Sequence, residues 1–383
     1  MSLTPPSSRP RLLHLHSTFD LGGKEARAVR LMNAFGDAYT HDIVSAVPTA
    51  VGAARQIAPH VDARVLADFP PLAGRLTPGK LKVIGAAIVR GNYDLVLTYN
   101  WGALDGLMAN RLFARRPLVH HEDGFNDDEA LRQKPARVLY RRLALPSASA
   151  LVVPSQVLER IALGPWKQPR GRVIRIPNGI DSALFAAPPP AGSIPGFERR
   201  EGEVVVGTLA GLRKVKNLPR LVRAFAAATR IVSVPARLVI VGEGPEREAI
   251  LAAAADAGIA DRLLMPGFLG KPETCVGHFD IFALSSDSEQ FPLSLVEAMA
   301  AGLPAVSTDV GDVRAIVSER NRPMIARVDD DMVFGRLLAR MIGDPLLRAE
   351  IGAANRARVV AEYDEAVMVE RYREVYSRAM ETA

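Results

Sequence analysis

The sequence predicts an α/β protein built from two doubly wound, Rossmann-like domains. Three observations carry that prediction. The chain has 383 residues, more than one ordinary core supports. Short apolar runs alternate with stretches whose apolar positions recur at helical spacing, the pattern of a parallel sheet covered by helices on both faces. Between Ile176 and Glu203 the alternation breaks into a segment containing Pro188-Pro189-Pro190 and further Gly and Pro, the composition of a linker. The boundary is placed near Ala187, giving domains over residues 1–187 and 188–362.

In the first half, residues 11–19 read as a leucine-rich strand. Asp20-Leu21-Gly22-Gly23 follows, then a helix over 24–35 with Ala26, Val29, Leu31, Met32 and Phe35 at its apolar positions. A glycine pair between strand and helix lets backbone approach a ligand closely, and equally serves an ordinary tight turn. It lacks the three-glycine dinucleotide fingerprint. Strands are predicted over 41–47, 61–66, 94–99, 117–121, 150–154 and 173–176, with helices over 80–90 and 103–113. Ligands of such sheets sit outside the C-terminal ends of the strands, where Gly22, Asn100, His120 and His121 fall. Neighbours on a strand point to opposite faces, so only one of the two histidines can face a cleft. The plainer expectation is one core and one surface histidine.

In the second half, strands are predicted over 204–210, 237–241, 263–265, 280–284 and 305–307, with helices over 218–229 and 246–257. The loop Gly211-Leu212-Arg213-Lys214-Val215-Lys216-Asn217 follows a strand. It reads as a solvated basic loop, or as a source of positive charge for a departing diphosphate. Gly242-Glu243-Gly244-Pro245 closes a turn before a helix. The stretch 285–302 holds a polar loop with Glu289, then a helix opened by Pro292 and stopped by Gly302. Glu297 lies inside that helix among apolar neighbours. A carboxylate there is costly unless something hydrogen-bonds it, either the hydroxyls of a ribose or an arginine. The first turn, at Leu293 and Ser294, offers free N–H groups and a positive dipole end to a phosphate. Residues 331–383 read as several helices.

This stretch resembles the glutamate–seven residues–glutamate motif of retaining glycosyltransferases of the GT4 type. The resemblance includes Phe291-Pro292, Glu297-Ala298-Met299-Ala300 and Gly302-Leu303-Pro304, and extends to Gly22-Gly23, Pro177-Asn178-Gly179-Ile180-Asp181 and Gly242-Glu243-Gly244-Pro245. It implies the GT-B fold: two Rossmann-like domains, an inter-domain cleft, and a last helix, about 363–383, packed back on the first domain. It implies that Glu289 contacts the donor sugar and Glu297 the nucleotide ribose. Gly22 and Gly23 would lie over the donor phosphates. Gly211, Arg213, Lys216, Glu243, Phe291, Pro292, Leu293 and Ser294 would surround the nucleotide diphosphate. A histidine near 120–121 would touch the donor sugar, and His121 is chosen with His120 second. Two departures stand out. Many relatives carry Glu-His-Gly where this chain has Glu122-Asp123-Gly124, and many space the basic pair more widely, so Lys214 can substitute for either member.

The implied activity is transfer of a hexose from a nucleotide-diphospho sugar to a glycan or lipid-linked acceptor, in envelope polysaccharide, lipopolysaccharide or glycolipid synthesis. The anomeric configuration would be retained by front-face transfer, with no carboxylate nucleophile, no metal and no other cofactor. An epimerase of the same architecture would need more acidic and histidine residues around Glu289. A nucleic-acid-binding protein is the third alternative. Against it, the net charge of +6 is spread over the chain, and no recognition helix, RNA-binding signature or zinc motif appears.

Hydrophobic content of 48% and charged content of 23% are globular values. No apolar run reaches the ~18 residues of a membrane span, and the N-terminus lacks the apolar core of a signal peptide. The single cysteine, Cys275, excludes a disulfide framework. The expectation is a cytoplasmic protein. Arg132, Lys134, Arg137, Arg141 and Arg142 crowd residues 131–145. That segment reads as a helix with a solvated charged face, or as a basic amphipathic helix lying on the anionic inner face of the plasma membrane.

Overall fold

The computed structural model describes residues 9–20, 22–124, 129 and 133–381. They form two compact units, Met1–Pro177 with Val369–Ala383, and Asn178–Met368. In the first unit the described strands are β1 Arg11–His16, β2 Thr40–Ser45, β3 Ala63–Val65, β4 Leu95–Tyr99, β5 Leu118–His121, β6 Ala150–Val153 and β7 Val173–Arg175. All pair in parallel, in the order β3-β2-β1-β4-β5-β6-β7. Its helices include α1 Gly23–Phe35, α2 Pro78–Gly91, α3 Leu104–Ala109, α4 Pro135–Ala144 and α5 Gln156–Leu163. Side-chain oxygens of Thr77 and Ser155 accept from the first-turn N–H groups of α2 and α5, so two of these starts were written locally in the sequence. The order reverses direction beside β1, where β2 leaves on one side and β4 on the other. The loops after β1 and β4 therefore diverge and leave a crevice at the carboxyl edge.

The second unit repeats the plan with β8 Val204–Leu209, β9 Ala236–Val241, β10 Leu263–Gly267, β11 Ile281–Leu284, β12 Ala305–Thr308 and β13 Ile325–Ala326, in the parallel order β10-β9-β8-β11-β12-β13. Its helices include α6 Leu218–Ile231, α7 Arg247–Ala257, α8 Leu293–Ala300, α9 Val313–Ile316, α10 Asp331–Gly343 and α11 Pro345–Glu362. Here the reversal lies between β8 and β11. Alternate residues of the strands feed two separate cores. Val206, Leu238 and Ile240 pack with α6 and α10, while Val205, Val239 and Phe282 pack with α8. β13 is two residues long, too short for periodicity to reveal.

The division falls at Pro177/Asn178, ten residues before the expected Ala187. The proline-rich segment does not behave as a free linker. Ile180, Phe185, Ile194 and Phe197 enter the core beside α8. Ile180 also exchanges backbone hydrogen bonds with the chain near Tyr363: its N–H donates to the Tyr363 carbonyl at 3.0 Å, and Glu365 N–H donates to its carbonyl at 2.8 Å. Composition marked a break in periodicity, and the apolar residues inside that break hold the segment to the second unit. The last helix, α12 Glu365–Glu381, gives its first residues to the second unit and the rest, from Val369, to the first.

In the first unit the two sheet faces are unlike. Leu13, Leu15, Val96 and Leu107 form an aliphatic core on one face. On the other, β1 presents His14 and His16, both buried. Register places His16 beside Tyr99 of β4 and Tyr99 beside His121 of β5. The three rings stack, His16 on Tyr99 at 3.9 Å between centroids and Tyr99 on His121 at 4.5 Å. Tyr372 and Tyr376 of α12 and Arg27 of α1 close over them.

Candidate active site

The second unit gathers most of the residues singled out by sequence. After β11, the loop 285–292 is clamped to the loop after β8. Ser285 Oγ donates to the Lys216 and Asn217 carbonyls at 3.0 and 3.1 Å, and Asp287 N–H donates to the Val215 carbonyl at 2.8 Å. Arg220 Nη1 ties Ser285 O and Asp287 Oδ1 together at 3.0 and 2.7 Å. On the far side Gly311, at φ +54, lies so close that a Cβ would stand 2.3 Å from the Glu289 carbonyl. These contacts fix where Glu289 can point. Its Oε1 accepts from Lys216 Nζ at 2.6 Å and from Ser286 Oγ at 2.7 Å. The pair is largely shielded, with Lys216 18% and Glu289 11% exposed. Arg213 and Lys214 stay exposed, and Arg213 makes no ion pair among the described residues. The structure thus separates the two expected cations: Lys216 is committed to Glu289, while Arg213 faces outward.

Pro292 caps α8 at φ −72 and ψ 101 instead of entering its first turn, and no side chain caps that turn. Gly302, at φ +77, stops the helix as expected. Ser294 and Glu297 are one turn apart and share a face. They line a cavity of about 330 Å³ together with Gly211, Glu243 and Phe268. Glu297 is half-buried, not enclosed. Burial, then the nearby Glu297 carboxylate, pushes the Cys275 thiol up to about 12. The glycines of this wall are structural necessities. At Gly242, φ +148, a Cβ would stand 1.9 Å from the Ala210 carbonyl oxygen, and at Gly244, φ +153, one would stand 2.5 Å from the Leu212 carbonyl oxygen. The loops after β8 and β9 are drawn together by Leu212 N–H to Glu243 O at 2.9 Å and Glu246 N–H to Leu212 O at 3.0 Å. The Glu243 side chain lies outside this clasp, exposed beside Arg247. Phe291 and Leu293 are half-buried and pack on the core beneath α8.

The first unit corrects the sequence reading. Neither His120 nor His121 lines an opening, because both are fully buried on opposite faces of β5. His120 Nδ1 pairs with Thr98 Oγ1 at 2.8 Å, and its other nitrogen lies 3.5 Å from Glu122. His121 is held between the Thr98 carbonyl at 3.2 Å and Tyr376 Oη at 3.0 Å. Burial, then Arg27, drives its pKa well below the ordinary histidine value. What stands at the strand end instead is Asp123, bonded through its backbone N–H to Asn100 Oδ1 at 2.7 Å and forked onto Arg27. Burial lowers the Arg27 pKa and Asp123 more than restores it, so the guanidinium stays charged. Gly22 and Gly23 are exposed at the start of α1. Gly22 is extended, at φ −162 and ψ 167, and a Cβ on Gly23 would meet nothing within 4 Å. No backbone demand accounts for Gly23.

The basic helix is also unlike its expectation. Leu131 and Arg132 lie outside the described residues. Within α4, Arg141 is buried, reaching Glu122 at 3.3 Å and Glu129 at 3.4 Å and stacking over Trp101 and Trp166. Arg137 binds Glu129 at 2.9 Å and lies over Trp101. Exposed Arg142 donates to the Pro165 carbonyl at 2.7 Å. The side chains left facing outward include Leu139, 57% exposed, and Leu143, 52%. Among the described residues no helix is long and apolar enough to cross a membrane, and no group of three or more His, Cys, Asp or Glu is placed to hold a metal.

Two family descriptions match the chain: "Glycosyltransferase Family 4" over residues 21–184 and "Glycosyl transferases group 1" over residues 194–358. N-acetyl-alpha-D-glucosaminyl L-malate synthase of Bacillus anthracis is 30% identical over 179 residues, 46% of this chain and 46% of that protein. The chain thus spans about half the length of that relative. D-inositol 3-phosphate glycosyltransferase of Salinispora arenicola is 26% identical over 388 residues, 90% of this chain and 84% of that protein. Among solved structures, HepE of Anabaena in complex with UDP superposes with a TM-score of 0.78 at 21% identity, covering 96% of this chain and all of the other. Sucrose-phosphate synthase of Thermosynechococcus elongatus gives 0.74 at 19% identity, covering 97% of this chain. These likenesses establish the fold: two parallel-sheet α/β units of the GT-B class.

Proposed function

We propose that this chain, which belongs to the group 1, family 4 glycosyltransferases, transfers a hexosyl group from a nucleotide-diphospho sugar to a glycan or lipid-linked acceptor and retains the anomeric configuration. The observation that carries the reading is the placement of Glu297 and Ser294 on one face of α8, lining a cavity closed by the glycine-rich loops after β8 and β9. A carboxylate at that depth suits the paired hydroxyls of a ribose. The uncapped first turn of α8 suits a phosphate. Glu289, held rigid by Lys216 and Ser286, suits the hydroxyls of the transferred sugar. HepE, similar in fold, has been seen with UDP and with UDP-glucose, which favours a uridine nucleotide.

In this reading Arg213 neutralises charge that develops on the leaving diphosphate, with backbone N–H groups of α8 and no metal. Lys216 neutralises Glu289, so that a carboxylate beside a diphosphate does not repel it. The acceptor hydroxyl passes its proton to the departing phosphate, and Glu289 orients rather than attacks. The experiment is a thermal-shift and calorimetric panel of UDP, GDP, ADP and their sugars, followed by proton NMR of the transferred sugar. Binding of one nucleoside diphosphate and an axial product from an axial donor are expected. Failure of all the nucleotides to bind, or an inverted product, defeats the proposal.

A further inference from the structure

A second cavity, of about 460 Å³, opens in the first unit beyond the carboxyl ends of β1, β2 and β4, the edge at which doubly wound sheets bind ligands. Its walls are mostly apolar: Val47, Leu72, Leu76, the Trp101 ring and the body of Tyr140. Of its polar side chains, Ser17, Asp105, Arg137 and Tyr140, the last three are already engaged. Asp105 Oδ1 accepts from Tyr140 Oη at 3.0 Å, and Oδ2 accepts from Lys80 Nζ at 2.7 Å. Arg137 is turned to Glu129 at 2.9 Å. A free sugar placed here would give up water for walls with few hydrogen-bonding groups to spare, a net loss. A hydrocarbon would gain by the same exchange.

A second observation points the same way. Ala136 and Tyr140 of α4 line the cavity. Leu139 and Leu143 continue their apolar stripe, since positions three and four apart are neighbours on a helix. Those two leucines are more than half exposed, 57% and 52%, whereas Arg137 and Arg141 of the same helix are turned inward to Glu129 and Glu122. An apolar path thus runs from the cavity along α4 to the surface. The stripe offers a path for any part of a chain that extends past the cavity.

We infer that this cavity is the acceptor subsite, and that it selects an amphiphile: the hydrocarbon chain lies against Trp101 and Leu76 and leaves along Leu139 and Leu143. The assignment as acceptor subsite rests on the transferase reading above; the preference for a hydrocarbon does not.

The test uses the full chain and methyl, octyl and dodecyl β-D-glucosides below their micellar concentrations, with binding read by calorimetry and by Trp101 fluorescence. Affinity should rise about threefold to fourfold per methylene buried until the cavity and stripe are filled. Leu76→Asp and Val47→Asp, both at exposed positions, should abolish the chain-length dependence with the fold intact by circular dichroism. Leu139→Ser with Leu143→Ser should lower the dodecyl affinity alone. Equal affinity for methyl and dodecyl glucosides, or a chain-length dependence untouched by Leu76→Asp, overturns the inference. UDP titrations separate the two failures. Loss of alkyl binding with UDP binding intact ends this inference only. Alkyl binding without binding of any nucleotide ends the transferase reading and leaves the cavity's preference standing.

Discussion

Acidification should loosen the first unit well before its carboxylates titrate. His14, His16 and His121 are buried and held well below their ordinary pKa, first by burial and then by neighbouring positive or imidazole groups, including Lys24, Arg27 and His41. His41 is lowered to about 4, again chiefly by burial. Their folded values lie below the unfolded value near 6.5, so below that pH the unfolded chain binds more protons. The stability is therefore complete above pH 6.5 and falls as pH drops through 6.5 toward the folded values. Between pH 7.5 and 5.5 each histidine kept neutral forfeits on the order of 1 kcal/mol, so the four together forfeit a few kcal/mol. That is a large part of the stability of many domains. Both tryptophans, Trp101 and Trp166, belong to the first unit, so tryptophan fluorescence in a urea titration reports on this unit. The midpoint should fall steeply between pH 7.5 and 5.5. His16→Phe keeps a ring stacked on Tyr99 and removes two buried nitrogens that have no hydrogen-bond partner among the described residues. It should raise stability at pH 7.5 by about 1 kcal/mol and reduce the acid loss by one histidine's share, on the order of 1 kcal/mol. A midpoint unchanged between the two pH values, or an equal loss in His16→Phe, would refute the reasoning.

Four further outcomes follow. Glu297→Ala should weaken the preferred nucleoside diphosphate about 100-fold by calorimetry, from two charge-assisted hydrogen bonds of about 1.5 kcal/mol each, while Glu289→Gln should spare the nucleoside diphosphate and weaken its sugar conjugate. Arg213→Ala should lower kcat by about 100-fold with little change in donor KM, and Lys216→Met should lower kcat further because it also strips Glu289 of its partner. Gly242→Ala, forced against the Ala210 carbonyl, should cost about 3 kcal/mol and lower Tm, whereas Gly23→Ala, with open space around it, should leave Tm unchanged and reduce kcat if donor or acceptor approaches that backbone. Arg141→Ala should destabilise the first unit by about 3 kcal/mol, because it leaves buried Glu122 without its guanidinium while Glu129 keeps Arg137, and should not alter co-sedimentation with anionic vesicles.

The second unit was legible because its site is local in sequence. Loop, helix start, carboxylate and stop fall between Ser285 and Gly302, and each is signalled by residues beside it. Its strands were found where apolar runs were bounded by turns, and β13 was missed where the run was two residues long. The linker was misjudged because composition reports that periodicity has stopped, not where the apolar residues inside the break will pack. Ile180 and Phe185 were visible, but their destination beside α8 was not.

The first unit resisted for a physical reason that can be stated residue by residue. His121 is buried against Tyr376, which is 255 positions away. Asp123 takes its meaning from Arg27, 96 positions away. A histidine at a strand end has two stable fates, facing solvent or entering a sheet face, and the strand alone does not choose between them. The choice is made by what covers the face. Here α1 and α12 bring an arginine and two tyrosines, which can stack on imidazole and fill the volume but leave no opening. The helix α4 makes the same point in reverse. Its arginines look like a surface charge pattern until Trp101, Trp166, Glu122 and Glu129 are placed beneath them. An arginine with a carboxylate and an indole within reach is better off inside, because stacking and pairing replace the water it gives up. Once Arg137 and Arg141 turn inward, the leucines at 139 and 143 are left on the outer face.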